Sequence, residues 1–368
     1  MHETERTMIR LNGVTKRFGE VEAVSAVDIE VPPGAFLALL GPSGCGKTTT
    51  LRMLAGLEEP TDGEIYLAGR RIADGREGTV VPPGERDIGM VFQSYALWPH
   101  MTVRANVEWP LKVKRWPARR RRDRIEQVLD LLGILPLAER YPGEISGGQQ
   151  QRAAIARTIA PEPKILLFDE PLSNLDAKLR AEMRTELMRI HRLTGSTSVY
   201  VTHDQVEAMT MATHIAVMKD GRIEQFGTPR ALLDEPKTPF VAQFIGTPPA
   251  NLFDVSVREG RYRYGTLDLG PAEERSEGER CLLMYRAHHV TLHHKAPAAG
   301  RNGADRLEVE FVEATPVADR TLITVWHANK RISVVSDGAV EARSGDTLLL
   351  ELPDRPSRVY PIAGDSES

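Results

Sequence analysis

Residues 41–48, of sequence GPSGCGKT, restrict the possible folds of this chain more than any other segment. They match the pattern of a glycine, four residues, and then Gly-Lys followed by Ser or Thr, which binds phosphate between a strand and a helix. The apolar run 35–40 predicts that strand, and 48–55 predicts the helix. Inward-facing N–H groups and a helix N-terminus attract phosphate oxygens. We expect Lys47 to reach β- and γ-phosphates and Thr48 to ligate magnesium; an ordinary glycine-rich turn is the alternative.

Composition sets the broad class. The 368 residues suffice for two or three domains, and the formal net charge of −4 gives no overall argument for a nucleic-acid partner. Two cysteines, Cys45 and Cys281, cannot form a disulfide framework, which favours a reducing compartment. The polar segment 1–6 does not resemble a secretory signal, and no stretch approaches the roughly eighteen apolar residues of a membrane span. We therefore expect a soluble intracellular chain whose membrane role, if any, depends on separate proteins.

The first part of the chain has an α/β pattern. Within 1–240, strand-like runs such as 165–168 and 198–201 alternate with helical patterns, which predicts a domain with a largely parallel sheet. Residues of about 95–160 are mainly helical and form a candidate helical subdomain. Apolar residues at steps of three or four predict one further helix face, made of Leu175, Leu179, Met183, Leu187, Ile190 and Leu193.

The last part of the chain has a different pattern. After a linker at 241–250, the region 251–368 has short alternating segments between clusters of Gly, Pro, Asp and Asn. Segments 306–312, 321–326 and 346–352 are the strongest of these strands, and together they predict a small all-β domain, a sandwich or barrel. The stretch 293–305, rich in Ala, Gly and Pro, predicts a flexible loop within it.

Two acids, Asp169 and Glu170, follow the strand-like run at 165–168. Open α/β sheets bind their ligands at the carboxyl ends of strands, so both side chains are placed for chemistry. Asp169 suits magnesium, directly or through a water. Glu170 suits the base that polarises an attacking water, a role worth roughly 10²–10⁴-fold in rate. A strand that merely ends in two solvated acids is the alternative, which the presence of the loop at 41–48 disfavours.

A second helix start suggests another anion site. The small residues Ser146, Gly147 and Gly148, with Gln149, precede a helical run at 153–160. They leave N–H groups exposed, and the serine can both cap the helix and donate. The chain has one phosphate loop but two helix starts that can bind phosphate. The simplest explanation is that the second helix start, at 146–149, binds the nucleotide of a partner chain. This predicts a two-fold dimer with nucleotide in its interface; a simple helix cap is the alternative.

Together these residues resemble an ATP-binding-cassette (ABC) ATPase over residues 8–245. The resemblance implies that Phe18 stacks on adenine and that Gln93 meets magnesium and faces a transmembrane partner. It also implies that Asp176 lies in a loop that communicates across the dimer and that His203 contacts the γ-phosphate. Taken singly, each has a plain structural alternative: a core aromatic, a surface polar residue or a helix cap.

The resemblance also implies the composition of the whole site, with ATP and Mg²⁺ as cofactors. Catalysis is assigned to Lys47, Glu170 and His203, and magnesium binding to Thr48, Gln93 and Asp169. The nucleotide-binding residues are Phe18, Gly41, Pro42, Ser43, Gly44, Cys45, Gly46, Lys47, Thr48, Thr49, Gln93, Ser146, Gly147, Gly148, Gln149 and Asp176.

A finer resemblance is to the ATP-binding subunits of maltose and glycerol-3-phosphate importers. It is carried by 170–180, 200–212 and 244–251, and the β-rich tail is similar to their OB-fold-like (TOBE) regulatory domain. It implies an ATPase whose dimer closure powers separate permease subunits that import sugars or glycerol-3-phosphate-like solutes. Segment 93–100 is also typical of iron(III) and polyamine importers, which remain an alternative. Arg286 is followed by Ala-His where that family has Pro-Glu, so the ligand or partner of the tail stays open.

The resemblance implies partners as well. They are a second copy or a paralogous ATPase subunit, two transmembrane permease subunits and, indirectly, a periplasmic or extracellular solute-binding protein. The chain is expected to be peripheral, on the cytoplasmic face of the cell membrane, with no nucleic acid. Two rivals stay open: a non-transport soluble ABC ATPase, and a nucleic-acid-binding protein that uses the tail residues Tyr262, Tyr264 and Trp326. The basic residues of 112–124 favour a solvated helix face over lipid contact.

Overall fold

A computed structural model describes residues 7–273, 275–294, 306–338 and 340–362. The chain divides into two compact units, Met1–Pro229 and Arg230–Ser368. Most of the loop predicted at 293–305, and the N-terminal segment 1–6, lie outside the described residues. In the described part of the chain, no helix combines the length and the apolar character that crossing a bilayer requires.

The first unit alternates strands and helices. Its helices are α1 (Lys47–Ala55), α2 (Val103–Val113), α3 (Ala118–Leu131), α4 (Gly147–Ile159), α5 (Ala177–Thr194) and α6 (Gln205–Met211). Its strands are β1 (Ile9–Phe18), β2 (Val21–Val31), β3 (Phe36–Leu40), β4 (Asp62–Leu67), β5 (Arg70–Asp74), β6 (Thr79–Val80), β7 (Ile88–Val91), β8 (Ile165–Asp169), β9 (Thr197–Thr202), β10 (His214–Lys219) and β11 (Arg222–Gly227).

Two sheets organise this unit. One sheet has the order β2-β1-β4-β5-β6, and in it β1 pairs antiparallel with both β2 and β4. The other sheet has the order β11-β10-β3-β9-β8-β7, and its strands from β10 to β7 are parallel. β3, β8 and β9 are buried along their whole length, which explains the continuous apolar sequence of β3, the apolar run that precedes Asp169 in β8 and the β-branched and aromatic centre of β9. Their carboxyl ends lie at one edge of the sheet. The predicted α/β fold is confirmed, and this edge brings the predicted chemistry together.

Alternate residues of the central strands enter separate hydrophobic clusters. Phe36 belongs to a cluster that also contains residues of α2, α3 and α4, whereas its neighbour Leu37 belongs to a cluster that contains residues of α1 and the antiparallel sheet. The predicted helix face on α5 is correct for its central residues, such as Leu187, but wrong at Leu193, whose side chain is 60% exposed. Leu193 lies roughly 60° around the helix from Ile190, at the margin of the stripe, in the last turn.

His191 predicts a measurable pH dependence of stability. It is buried on α5, its Nδ1 lies 2.9 Å from Ser198 Oγ, and its ring packs edge-on against Phe36. Burial lowers the pKa of His191. Between that lowered pKa and the ordinary value of about 6.5, the unfolded chain binds more protons than the folded one. The contribution of the neutral, buried His191 to stability is therefore fully present above about pH 6.5, and it is lost as the pH falls through this window.

We expect His191→Gln to lose less stability than the wild type when the pH falls from about 7.5 to about 5.5, because the glutamine does not titrate. The urea midpoint at each pH measures this difference. His100→Gln, at an exposed position, is the control and should follow the wild type. An equal loss of midpoint in the wild type and His191→Gln would contradict the assignment.

The second unit is mainly β-structure. It contains α7 (Pro229–Asp234), which starts at the last residue of the first unit, and α8 (Pro239–Phe244). Its strands are β12 (Asn251–Arg258), β13 (Arg261–Tyr264), β14 (Leu267–Pro271), β15 (Arg280–Tyr285), β16 (Thr291–His293), β17 (Leu307–Val317), β18 (Arg320–His327), β19 (Lys330–Ser336), β20 (Thr347–Glu351) and β21 (Arg358–Pro361).

Two antiparallel sheets of this unit enclose one core. Their orders are β14-β13-β12-β15-β21 and β16-β20-β17-β18-β19. Phe253 and Leu283 from the first sheet pack with Val309, Val325 and Leu348 from the second. The all-β character predicted for the tail is confirmed. The hairpin of β17 and β18 runs five residues further than the predicted segment at its first strand, because the pairing continues to Val317 and Arg320.

Arg286 fixes the helical start of the second unit to its sheets. Its side chain is buried and donates to the carbonyl oxygens of Leu233, Ala242 and Ile245, at the ends of α7 and α8. Burial lowers the pKa of Arg286. The Tyr360 hydroxyl donates to the Pro236 carbonyl at 3.0 Å. These bonds satisfy helix-end carbonyls that have no partner within the helix, so α7 and α8 depend on the β-structure behind them.

Candidate functional site

The loop after β3 has the geometry of a phosphate cradle. Gly46 precedes α1 with φ 99°, a conformation that L side chains rarely adopt. A Cβ on Gly41 would lie 2.3 Å from the Met218 carbonyl oxygen, so the chain can pass β10 only as glycine. Pro42, Ser43 and Gly44 are exposed at the mouth of the loop, while Cys45 is buried beneath it and Thr49 is half-buried in α1.

Lys47 is held inside this loop. Its side chain is only 5% exposed, and its Nζ donates to the carbonyl oxygens of Gly41 and Pro42 at 2.8 Å each. It also lies 3.6 Å from Cys45 Sγ. Among the residues that the structure describes, Lys47 forms no ion pair. Its charge is therefore balanced only by carbonyl dipoles, which leaves the loop electropositive and suited to phosphate.

Thr48 and Asp169 form an oxygen-rich corner beside the loop. The Thr48 hydroxyl donates to Asp169 Oδ1 at 3.2 Å, and the carboxylate is largely buried at the end of β8. Burial raises the pKa of Asp169, so a cation at this position would relieve a real cost. No group of three or more His, Cys, Asp or Glu side chains suited to a metal occurs in the described part of the chain. The corner fits Mg²⁺, which takes few protein ligands and completes its shell with phosphate and water.

Glu170 and His203 meet at the ends of neighbouring strands. Glu170 follows β8 with φ 44°, and its N–H donates to the Val201 carbonyl of β9 at 3.2 Å. His203 follows β9, and its Nδ1 lies 3.4 Å from Glu170 Oε2. The two side chains are 24% and 60% exposed, so water can reach both. This pair can orient a water and hold its proton.

Gln93 is attached to the loop that follows Glu170. The side-chain Nε2 of Gln93 donates to Ser173 Oγ at 3.2 Å, and the main-chain carbonyl of Gln93 accepts from Asn174 Nδ2 at 3.1 Å. Ser173 Oγ donates in turn to the Glu170 carbonyl at 3.0 Å. The turn after Gln93 is held by Arg157, which donates to the carbonyl oxygens at 95 and 96. No sequence pattern singles out this arginine, because its partners are far away along the chain.

Ser146 and Asp176 act as helix caps within the chain. Ser146 Oγ accepts from the Gln149 N–H, and Gln149 Oε1 accepts from the Ser146 N–H, a reciprocal capping box at the start of α4. Asp176 Oδ1 accepts from the Leu179 N–H at the start of α5. Ser146 and Gly147 are exposed, and Gly148 packs against Leu179. Within the described residues no hydrogen bond joins 146–149 to the loop at 41–48.

Phe18 lies at the end of β1 with a free ring face. Its side chain is 47% exposed, and Lys16 Nζ lies 4.8 Å from the ring centroid. The alternative of a core aromatic is therefore wrong for this residue. Its adenine contact stays a prediction, as do the nucleotide roles of the other residues assigned to the site.

The chain matches a family model described as ABC transporter over residues 24–173. The trehalose/maltose import ATP-binding protein MalK of Thermococcus litoralis is 54% identical over 71% of this chain and 69% of its own length. The xylose/arabinose import ATP-binding protein XacJ of Haloferax volcanii is 41% identical over 96% of this chain and 92% of its own length. An sn-glycerol-3-phosphate import ATP-binding protein, UgpC 1 of Rhizobium johnstonii, is 43% identical over 92% of this chain and 90% of its own length.

A solved structure agrees with these relatives. The ATP-binding cassette MJ0796, in a dimeric post-hydrolysis state bound to ADP and Pi, is 35% identical with a TM-score of 0.53. The match covers 61% of this chain and 99% of that one.

Proposed function

The chain belongs to the ABC transporter family as an import-type ATP-binding protein, and on this premise we propose that it hydrolyses ATP to power solute uptake through separate membrane-spanning subunits. The observation that carries the proposal is the shared sheet edge. The loop after β3, the acids after β8 and the histidine after β9 all end there, and hydrogen bonds or short contacts link Thr48 to Asp169 and Glu170 to His203.

We propose that this edge performs phosphoryl transfer chiefly by electrostatics and positioning. Lys47 and the N–H groups of the loop bind the β- and γ-phosphates. Thr48, Asp169 and Gln93 would hold Mg²⁺, which neutralises developing charge on the phosphate oxygens. Glu170 orients the attacking water and accepts its proton, and His203 contacts the γ-phosphate beside it. Each step uses a side chain that the fold already holds at the edge.

We propose that two copies share two ATP molecules. Ser146 and Gly147 are exposed at the start of α4, where N–H groups without a helical partner can donate hydrogen bonds to an anion. Because 146–149 has no hydrogen bond to the chain's own phosphate loop within the described residues, its anion is assigned to a partner chain. Closure of the dimer around ATP would then drive the permease, and hydrolysis would reopen it.

The solute class is proposed from the relatives. The names of the relatives MalK, XacJ and UgpC specify sugars and sn-glycerol-3-phosphate, which favours these solutes over iron(III) or polyamines. We propose two permease subunits and a solute-binding protein as partners, with this chain peripheral to the inner face of the membrane. The second chain of the dimer is another copy of this chain or a paralogous ATPase subunit.

Purification of the native complex tests this function. The tagged full chain, extracted with mild detergent from its own cells, should bring down hydrophobic permease subunits that mass spectrometry identifies. The complex should hydrolyse ATP in the presence of magnesium, and a cognate sugar with its binding protein should stimulate the rate. Recovery of DNA-repair or translation factors without any permease would favour the soluble ABC ATPase instead.

Truncation is expected to separate ATP hydrolysis from the second unit. A chain ending at Pro229 should keep Glu170-dependent ATPase activity, because the residues assigned to phosphate chemistry precede residue 204. A chain ending at Pro249 should melt at a lower temperature than the full chain. It retains α7 and α8 without Arg286, so carbonyls such as that of Ile245 lose their hydrogen-bond donor. Circular dichroism and ATPase assays at matched concentrations measure both. A folded 1–229 chain without activity, even when concentrated, would show that the tail contributes to catalysis.

A further inference from the structure

A cluster of buried polar side chains surrounds His203 on both sides along the chain. Glu207, in α6, is only 4% exposed, and its Oε2 accepts from the Tyr200 hydroxyl at 2.8 Å and the Thr202 hydroxyl at 2.7 Å. Thr202 Oγ1 accepts from the Asp204 N–H at 2.9 Å. The residues immediately before and after His203 are therefore bonded to one another, and the buried carboxylate anchors them to the start of α6.

Arg180 joins this cluster to the loop that follows Glu170. It lies one turn into α5, and its Nη2 donates to the Leu175 carbonyl at 3.0 Å. Its Nη1 lies 3.8 Å from Asp204 Oδ2, and its Nε lies 3.9 Å from Glu207 Oε1. That Nε is buried and has no hydrogen-bond partner. The guanidinium thus faces two carboxylates and one carbonyl, and its buried Nε–H has no hydrogen-bond acceptor.

The charge balance gives this arginine a strong role. A buried carboxylate is costly unless it is paired and hydrogen-bonded. Removal of one partner of such a pair leaves the other uncompensated. Loss of Arg180 would leave Glu207 with two hydroxyl donors and no cation within 4 Å among the described residues. The turn carrying His203 would then lose the contact that ties it to α5.

The connection extends to Glu170. Ser173, in the same loop as Leu175, donates through its hydroxyl to the Glu170 carbonyl at 3.0 Å. One end of the loop is therefore attached to Glu170, and the other is attached through Arg180 to the turn of His203. Glu170 and His203, whose side chains lie 3.4 Å apart, are therefore held by the same connected set of contacts.

We propose that Arg180 is a positioning residue for ATP hydrolysis, which holds the Leu175 carbonyl and the Asp204 and Glu207 carboxylates together and thereby fixes His203 against Glu170. The inference rests on the proposed ATPase function and deepens it. Arg180 acts through other residues and is not assigned any contact with phosphate. Its loss should therefore lower kcat and leave the binding of ATP unchanged.

The test compares Arg180→Met with Arg192→Met in the full chain. Arg192 is an exposed arginine of the same helix, so its replacement is the matched control. We expect Arg180→Met to lower kcat by roughly 10- to 100-fold, since displacement of a catalytic group by about 1 Å can cost 10²-fold. The Kd of a fluorescent ATP analogue should stay at the wild-type value, whereas the melting temperature should fall, because the buried Glu207 carboxylate loses its cation. Arg192→Met should keep the wild-type kcat.

Two further variants distinguish positioning from a general loss of structure. Arg180→Lys keeps the charge but not the planar fork, so it should recover only part of kcat. Glu207→Gln should lower kcat, and the double variant Arg180→Met with Glu207→Gln should be no worse than Arg180→Met alone, because both changes break one network. If Arg180→Met fails to fold, the kcat and Kd of Arg180→Lys decide in its place.

Three outcomes would overturn the inference. Wild-type kcat in Arg180→Met would show that the network does not matter for turnover. A loss of ATP affinity that matches the loss of kcat in a folded Arg180 variant would show a merely structural role. Strictly multiplicative effects of the Arg180 and Glu207 changes would show that they act separately. A wild-type chain without ATPase activity would instead overturn the proposed function, and the two failures are therefore distinguishable.

Discussion

Glu170→Gln is expected to lower ATP turnover by roughly 10²–10⁴-fold while leaving ATP binding intact. The carboxylate lies 3.4 Å from His203 and is partly exposed, so it can accept a proton from a water, whereas a neutral amide of the same shape cannot. The phosphate cradle is made by a different segment, around Lys47. Its geometry should therefore survive the change. Turnover and the Kd of a fluorescent ATP analogue measure the two effects separately.

The same variant should accumulate as a dimer in the presence of ATP and magnesium, because the closed state can form but cannot reset. Gel filtration with and without ATP measures the change in size. Glu182→Gln, an exposed acid on α5, is the control and should behave like the wild type. A monomeric profile of Glu170→Gln together with wild-type turnover would contradict both the dimer and the assignment of the base.

Ser146→Arg, placed in the Glu170→Gln background, is expected to abolish the ATP-dependent dimer. Ser146 is exposed at the start of α4, and the proposed partner phosphate would lie against its N–H groups. A long side chain there would block close approach of the partner chain, even though its charge is favourable. The ATP affinity of the monomer should be unchanged, since its own loop is intact. Gel filtration and nucleotide binding give the two readouts.

The control for this prediction separates capping from obstruction. Both Ser146→Arg and Ser146→Ala remove the oxygen that accepts from the Gln149 N–H, at a cost of about 0.5–2 kcal/mol of stability. Only the arginine adds bulk. The Ser146→Ala variant should therefore still form some ATP-dependent dimer, although its melting temperature should be similar to that of Ser146→Arg. Equal dimerisation of the Ser146→Arg variant and its parent would place the second anion site outside the interface.

Much of the site could be predicted because its parts are local in sequence. The glycines of 41–46, the lysine that follows and the acids after β8 are placed by strand-to-turn geometry over a few residues. Runs of apolar, β-branched and aromatic residues likewise indicated β3, β8 and β9, since strands buried on both faces are rich in such residues. The exposed Leu193 shows the limit of this reasoning, because helical spacing alone does not say where the neighbouring element ends.

Turn chemistry and hydrophobic periodicity act over short distances, so the amino-acid sequence is enough to predict the phosphate loop, the acids, the alternation of strands and helices and the all-β tail. The edge that the strands share depends on long-range pairing, of β3 with β9 and of β9 with β8, and is known from the structure alone. The same holds for the contacts of Arg157, Arg180 and Arg286. With 47 lysines and arginines in the chain, side-chain type cannot single these out. Their function depends on carbonyls and carboxylates that only the folded chain brings within hydrogen-bond or ion-pair distance.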